Sequence, residues 1–350
     1  MRRASRWPLY PLVGLFAFAC LLGSAAAQEK RIVAKIAVIL SPDHPHSLTM
    51  KFFAQKVKER TEGRVEFQVC DSAQLGQTND LLLGVQTGNI EMAKTPASLA
   101  GEWIPEEKVW DLPYLFNSRG ELWRVIRSNV GKEFVTEFFP KRGLVGVFWV
   151  DDGARSIYAN KPIRKPEDLK GMKIRVQPSD IQIQAINEMG GIGTPLASGE
   201  VYVALQQTPL ASGEVYLALQ RKVLDGAENS PVLYWTSKHW EVSKVYSLTE
   251  QFWAVSAFIA NKKWWDGLSK DIQGEIAAAG QDSEKYCLEI YTALENKAFG
   301  LLKEKGVTVI TDVDKIPFEK RIRPVYDTFI TKYPFGKELL SQVQAVVRAK

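Results

Sequence analysis

The chain has little of what reactive or stapled proteins are built from. Three cysteines and three histidines are spread over 350 residues, and no Cys-x-x-C pair occurs. Neither a disulfide framework nor a thiol redox centre is therefore expected. A Gly-x-Ser-x-Gly nucleophile elbow and a Walker-type phosphate loop are both missing. Met189-Gly-Gly-Ile-Gly193 is glycine-rich, but it follows a helical stretch and lacks the dinucleotide spacing, so it reads as a helix stop. No run of Lys or Arg exceeds two and the signs of charge are mixed throughout, which argues against a nucleic-acid partner.

Long apolar runs are equally scarce, and the one present is N-terminal. Arg2, Arg3 and Arg6 precede an apolar stretch from Leu9 to Leu22, which is followed by Gly23-Ser24-Ala25-Ala26-Ala27. The stretch covers 14 positions and contains Pro11 and Gly14, short of the ~20 residues that a spanning helix needs. Its three parts are those of a signal peptide, residues 1–27, with cleavage expected after Ala27 and a periplasmic product. Phe18 and Leu21-Leu22 argue against lipid attachment at Cys20. Losing the three leader arginines lowers the formal net charge from +5 to +2, so the basic balance belongs partly to the leader. Cys70 and Cys287 remain, and are expected as separate thiols. The mature chain is long enough for two lobes of ordinary size.

Local patterns alternate between strand and helix. Lys35–Leu40 reads as a buried strand, Ser41–His46 as a loop, and Ser47 as the cap of a helix that Gly63 ends. Val65, Phe67 and Val69 alternate as a half-buried strand; Asp80–Gln86 reads as a helix and Ile90–Ala93 as a strand. Gly143–Val150 is a continuous apolar run, hence a central strand ended by the turn Asp151-Asp152-Gly153. After residue 155 the alternation resumes: strand Lys173–Val176, helix Ile181–Met189, and a long helix from Asp271 to about Lys305 with Gly300 as a weak point. The order implies α/β lobes, each a sheet flanked by helices. The long helix can bridge them.

One feature is an internal duplication. Thr194-Pro-Leu-Ala-Ser-Gly-Glu-Val-Tyr-Val-Ala-Leu-Gln-Gln207 is followed at once by Thr208-Pro-Leu-Ala-Ser-Gly-Glu-Val-Tyr-Leu-Ala-Leu-Gln-Arg221. Two copies are too few for a solenoid. The lobe is expected to offer one slot, seating the second copy and extruding the first.

The residues that point to chemistry are arginines in strands. Arg175 lies between Ile174 and Val176, and Arg155 follows the central strand. Ligands of open α/β sheets collect beyond the carboxyl ends of strands, and a planar guanidinium suits a carboxylate there. Asp43-His44-Pro45-His46 offers two histidines beside a carboxylate, but His239 is far off in sequence, and a polar loop accounts for them without a metal. No cofactor is implied.

Five segments occur in an order that closely resembles one family. They are Ala73-Gln-Leu-Gly76, Asp111-Leu-Pro-Tyr114, Asp168-Leu-Lys-Gly-Met-Lys-Ile-Arg-Val176, Gly213-Glu-Val-Tyr-Leu-Ala-Leu-Gln220 and Asp225-Gly-Ala-Glu-Asn229. Together they resemble the extracytoplasmic solute-binding proteins of tripartite ATP-independent periplasmic (TRAP) transporters, across the whole mature chain. The resemblance implies a two-lobed α/β periplasmic binding fold with lobes joined by hinge strands. Lobe I would comprise residues 28–152 and about 255–294, and lobe II residues 153–254 and about 295–350. It further implies a non-catalytic protein, a monomer, that captures an organic acid and delivers it to a permease driven by a sodium gradient. The family's carboxylate-binding arginine falls on Arg175, a second ligand arginine on Arg155, and an amide donor on Asn229. The phrases around Arg155, Arg175 and Tyr246 are most similar to binders of sugar acids such as hexuronates, with C4-dicarboxylates and keto acids open. Gln177, Tyr234 and Trp235 could then meet sugar hydroxyls and a ring face, although both aromatics also suit a core. A ligand sensor on the same fold and a metal-dependent enzyme using His44 and His46 are the other readings.

Overall fold

The computed structural model describes residues 31–196 and 213–349. The leader, residues 1–27, and most of the first duplicated copy lie outside them. Among the described residues nine strands form one mixed sheet, β1 (Ile32–Ala37), β2 (Val65–Cys70), β3 (Met92–Pro96), β4 (Leu144–Ala159), β5 (Lys173–Val176), β6 (Ile192–Pro195), β7 (Gly226–Asn229), β8 (Val245–Asn261) and β9 (Thr308–Ile310). Their spatial order is β2-β1-β3-β8-β4-β7-β5-β6, with β9 also on β8.

Two strands are far longer than the rest: β4 has 16 residues and β8 has 17, and they run antiparallel along their length. At one end of this ribbon, β3 pairs with residues 256–260 of β8 and leads to the parallel β1 and β2. At the other end, β7 pairs with Ser156–Ala159 of β4 and leads to the parallel β5 and β6, while β9 pairs with Val245–Ser247. Each end is a mixed sheet flanked by helices, so the fold is two-lobed, with β4 and β8 common to both lobes.

The helix Lys270–Glu304 is common to both as well. Its 35 residues span roughly 50 Å at 1.5 Å per residue. Ile272, Ile276 and Ala279 pack in a core with Phe53, Phe148 and Phe258, whereas Leu302 packs in another with Tyr158, Tyr234 and Tyr246. Gly300 does not interrupt it, because one glycine costs only about 1 kcal/mol against so much burial. Among the described residues no helix is long and apolar enough to cross a membrane. Cys70 and Cys287 are separate thiols, and burial pushes the Cys287 thiol up to about 12.

Several boundaries differ from expectation: β1 runs from Ile32 to Ala37, not from Lys35 to Leu40, and β3 from Met92 to Pro96, not from Ile90 to Ala93. The first helix begins at Pro45, not after Ser47, and His44 is its cap, its Nδ1 accepting from the His46 amide at 3.1 Å. Proline lacks an N–H that the first turn would leave unpaired anyway, so it starts a helix as readily as it marks a loop. The central strand does not end at Asp151-Asp152-Gly153 but continues to Ala159 through register shifts. Gly153 supplies the required φ of +74° and lets the long helix approach: a Cβ there would meet Glu295 at 2.9 Å and Tyr291 at 3.1 Å. Arg155 therefore sits within a strand, not after one.

The duplication fills its slot in a divided way. Thr194 and Pro195 of the first copy belong to β6, paired with Arg175 and Val176. The helix Gly213–Gln220 belongs to the second copy, with Val215 and Leu219 buried beside Leu224 and Ala227. The seat thus takes its strand entry from one copy and its helix from the other, rather than seating the second copy whole. Deleting residues 194–207 joins Gly193 to Thr208 and brings the identical Thr208-Pro209-Leu210 into register. The variant should keep its far-ultraviolet circular dichroism and melt at least as high as the parent, since fewer residues then separate β6 from the helix Gly213–Gln220 and less chain entropy is lost on closing that connection. Loss of the folded state would make the first copy a working part of the lobe.

Candidate functional site

Three neighbouring strands carry the sequence-predicted site. Arg155 lies on β4, Asn229 ends β7 opposite Ser156, and Arg175 on β5 lies opposite Ala227. All three are buried, at 4%, 5% and 2% exposure, which is unusual for arginine unless it is paired. The Nε of Arg175 donates to the Leu196 carbonyl at 2.8 Å, just beyond the end of β6.

Arg155 is paired within the protein. Its Nε and Nη2 donate to the two carboxylate oxygens of Glu228, each at 2.6 Å, and its Nη1 donates to Asn229 Oδ1 at 3.1 Å. Burial works against the guanidinium charge, but the Glu228 carboxylate more than offsets it and Arg155 stays protonated. The Ser230 amide also donates to Asn229 Oδ1, at 2.9 Å. With two donors on its oxygen, the Asn229 amide is oriented and its NH2 remains to donate. Arg155 thus aims Asn229 as well as adding charge.

A second polar group adjoins this one through Ser230 Oγ, which bonds Tyr291 Oη at 2.7 Å; Tyr291 Oη donates to the Asp152 carbonyl at 2.5 Å. Lys94 Nζ, buried on β3, donates to Asp152 Oδ1 at 3.2 Å, and Ser256 donates to the other carboxylate oxygen. Burial raises the Asp152 carboxyl, but Lys94, His46 and these bonds together hold it below its ordinary range. His46 Nε2 lies 2.8 Å from the Asp151 carbonyl, and its ring stacks on Tyr291. Burial first, then Lys94, lower His46 to about 4, so it is neutral at pH 7, its Nε2 donates and its Nδ1 bears a lone pair. That buried Nδ1 has no hydrogen-bond partner. His44 is likewise held well below its ordinary value, by burial first and then by His46 and Lys94. The histidines therefore cap a helix and face a carbonyl, and among the described residues no group of His, Cys, Asp or Glu is arranged to hold a metal.

The remaining predicted residues fall in different places. Gln177 Oε1 accepts from Ser98 Oγ at 2.7 Å, bringing the segment after β5 to the helix after β3. Tyr234 is a core residue, fully buried against Tyr158 and Tyr246. Trp235 is half-buried and stacks on Trp240, with ring centroids 5.7 Å apart. Sequence reasoning missed Glu228, Lys94 and Asp152. Glu228 had a signal: a carboxylate in the strand Gly226-Ala-Glu-Asn229 needs a buried cation to be tolerated. Lys94 and Asp152 had none, because strand pairing in three dimensions joins them.

Two surface cavities, of about 380 and 150 Å³, are lined by other residues, among them Lys35, Leu83 and Ile90 in the first and Ser156, Glu250 and Glu295 in the second. Neither Arg155 nor Arg175 lines either of them.

Comparison with known proteins gives one answer. The family model for bacterial extracellular solute-binding protein, family 7, matches residues 36–208 and 206–332. The match breaks at the junction of the duplicated copies. A solute-binding protein of Chromohalobacter salexigens is 31% identical over 304 residues, covering 87% of this chain and 86% of that one. Among solved structures, a TRAP periplasmic solute-binding protein of Sulfitobacter sp. NAS-14.1 with bound β-D-galacturonate aligns with a TM-score of 0.83 at 29% identity, over 89% of this chain and 99% of that one. A TRAP solute-binding protein of C. salexigens with bound D-glucuronate aligns equally well, at 31% identity over the same shares. The chain belongs to family 7 of the bacterial extracellular solute-binding proteins, the periplasmic binding components of TRAP transporters.

Proposed function

We propose that this chain binds a sugar acid of the hexuronate type in the periplasm and delivers it to the membrane permease of a TRAP transporter. The observation that carries the reading is the buried trio on β4, β7 and β5. Arg175 is the carboxylate ligand, a cation buried where the sheet ends. Asn229, oriented by the Arg155–Glu228 pair, donates its amide. Lys94, Asp152 and the neutral Nδ1 of His46 supply donors and acceptors suited to hydroxyls. The uronates held by the two solved relatives carry both kinds of group. Gln177 contributes from the segment after β5, and Trp235 only if its stack on Trp240 opens.

On this reading residues 28–152 with about 255–294 form one lobe and residues 153–254 with about 295–350 the other. The leader at 1–27 is removed on export. The buried trio is the closed arrangement, and the ligand enters when the lobes part along β4 and β8.

A thermal-shift screen of the mature protein against D-glucuronate, D-galacturonate, D-erythronate and C4-dicarboxylates tests it. A ligand at 100 times its Kd adds about 2.7 kcal/mol to the folded state, so a uronate should raise Tm by several degrees. Small-angle scattering should show a smaller radius of gyration with the same ligand. Stabilisation by succinate alone would move the substrate class to dicarboxylates, and binding without compaction would remove the closing motion.

A further inference from the structure

The Asp111-Leu-Pro-Tyr114 segment has a place in the family resemblance but none so far in the site. Its first residue is 4% exposed, and its carboxylate reaches across to the segment that follows the carboxylate-binding strand. Ser179 Oγ donates to Asp111 Oδ2 at 2.7 Å, and Gln182 Nε2 donates to Asp111 Oδ1 at 3.1 Å. Ser179 is also the cap of the helix Asp180–Met189, its Oγ accepting from the Gln182 amide. A single carboxylate therefore holds both the cap and the first turn of that helix, four residues beyond Arg175.

Two flanking contacts join the same segments. Ser98 donates to Gln177 at 2.7 Å, and the buried Lys108 donates to Asp180 Oδ1 at 2.6 Å. The four bonds named between the two segments are all made between side chains. Such bonds can be returned to water one by one, each with a small net free energy, so they bias a closure without locking it. Burial pushes Asp111 up to about 6, against the Ser179 and Gln182 bonds and the charges of Arg155 and Lys108. It is an acceptor on both oxygens at neutral pH. Glu107, one turn earlier, has no hydrogen-bond partner, and burial holds its carboxyl well above the ordinary range.

We infer that Asp111 is a positioning residue of the binding site, a clasp that draws the 97–111 segment onto the cap of the 180–189 helix when the lobes close and so sets the segment that follows Arg175. The clasp rests on the reading that the lobes close on a sugar acid. Calorimetric titration with D-glucuronate and D-galacturonate, beside melting of the ligand-free protein, tests it on Asp111→Ala, Asp111→Asn, Ser179→Ala and the double variant. Asp111→Ala should weaken binding about ten- to hundredfold, from two bonds to a charged acceptor. Asp111→Asn keeps one acceptor and should recover much of that loss. The Asp111→Ala, Ser179→Ala pair should bind little worse than Asp111→Ala alone, because both changes remove one contact. If Asp111→Ala does not fold, Asp111→Asn with Ser179→Ala gives the same cycle. A purely structural role predicts a lower ligand-free Tm with affinity within twofold of the parent; that result, or losses that simply multiply, would overturn the clasp while leaving the sugar-acid reading intact. If the parent binds neither uronate, the reading fails and the clasp with it.

Discussion

Replacing Arg175 by alanine should weaken uronate binding thirty- to several-thousand-fold, about 2–5 kcal/mol, the cost of leaving a desolvated carboxylate without its cation. The size follows from burial. Arg175 is 2% exposed, so no water stands ready to replace the guanidinium, and a carboxylate placed there unpaired keeps its full desolvation penalty. Arg175→Lys is the sharper variant. It keeps the charge and most of the stem, but an ammonium is a point donor and cannot form two parallel bonds with a carboxylate. It also cannot reproduce the Nε donation to the Leu196 carbonyl, which fixes the plane of the fork. Affinity in the lysine variant should therefore fall by tenfold or more while the ligand-free protein melts near the parent. Isothermal calorimetry on both variants decides the matter: near-parental Kd in the two together removes Arg175 from the site.

The sequence made the chemistry of this site more legible than its electrostatics. The strand Lys173–Val176 and the long helix are where their patterns placed them, to within a residue, because alternation and helical composition are local signals. Arg175 and Asn229 were singled out through their motifs, and the structure sets them on the adjacent strands β5 and β7. The long run of β4 was not, since Asp151-Asp152-Gly153 is turn chemistry by composition and only the partner strand β8 shows it to be a bulge. The pairing of Arg155 with Glu228 was hidden for the same reason. The two are 73 positions apart, and the antiparallel register of β4 and β7 alone brings them together. His44 and His46 were read as loop residues because proline and aspartate surround them. Burial turns them into a helix cap and a neutral ring facing the Asp151 carbonyl, a property that burial creates and no spacing announces. Trp235 illustrates the converse: an aromatic shortly after the Asp225–Asn229 motif looks available to a sugar ring in sequence, yet Trp240 takes its face.

The Arg155–Glu228 pair carries the largest expected effect on stability. Glu228→Ala leaves a guanidinium with 4% exposure facing an apolar gap, and breaking a buried pair from one side costs about 3–5 kcal/mol. Urea unfolding of the ligand-free protein should show a loss of that order, with binding falling as well, because Arg155, which donates to Asn229 Oδ1, loses the carboxylate that anchors it. Removing both charges separates the two roles. A buried pair can often be replaced by apolar residues of similar volume with little net cost, since the desolvation penalty of both ions is relieved together. Arg155→Met with Glu228→Leu should therefore regain most of the stability lost in Glu228→Ala. It should not regain full affinity, because methionine cannot donate to Asn229 Oδ1 and only the Ser230 amide is left to hold that oxygen. A double variant that is restored in stability and also binds uronate as tightly as the parent would reduce the pair to a structural ion pair with no part in recognition. One that stays as unstable as the single variant would show instead that β4 and β7 depend on these side chains for their register, in which case the strand pairing between Ser156 and Asn229 is what the charge pair maintains.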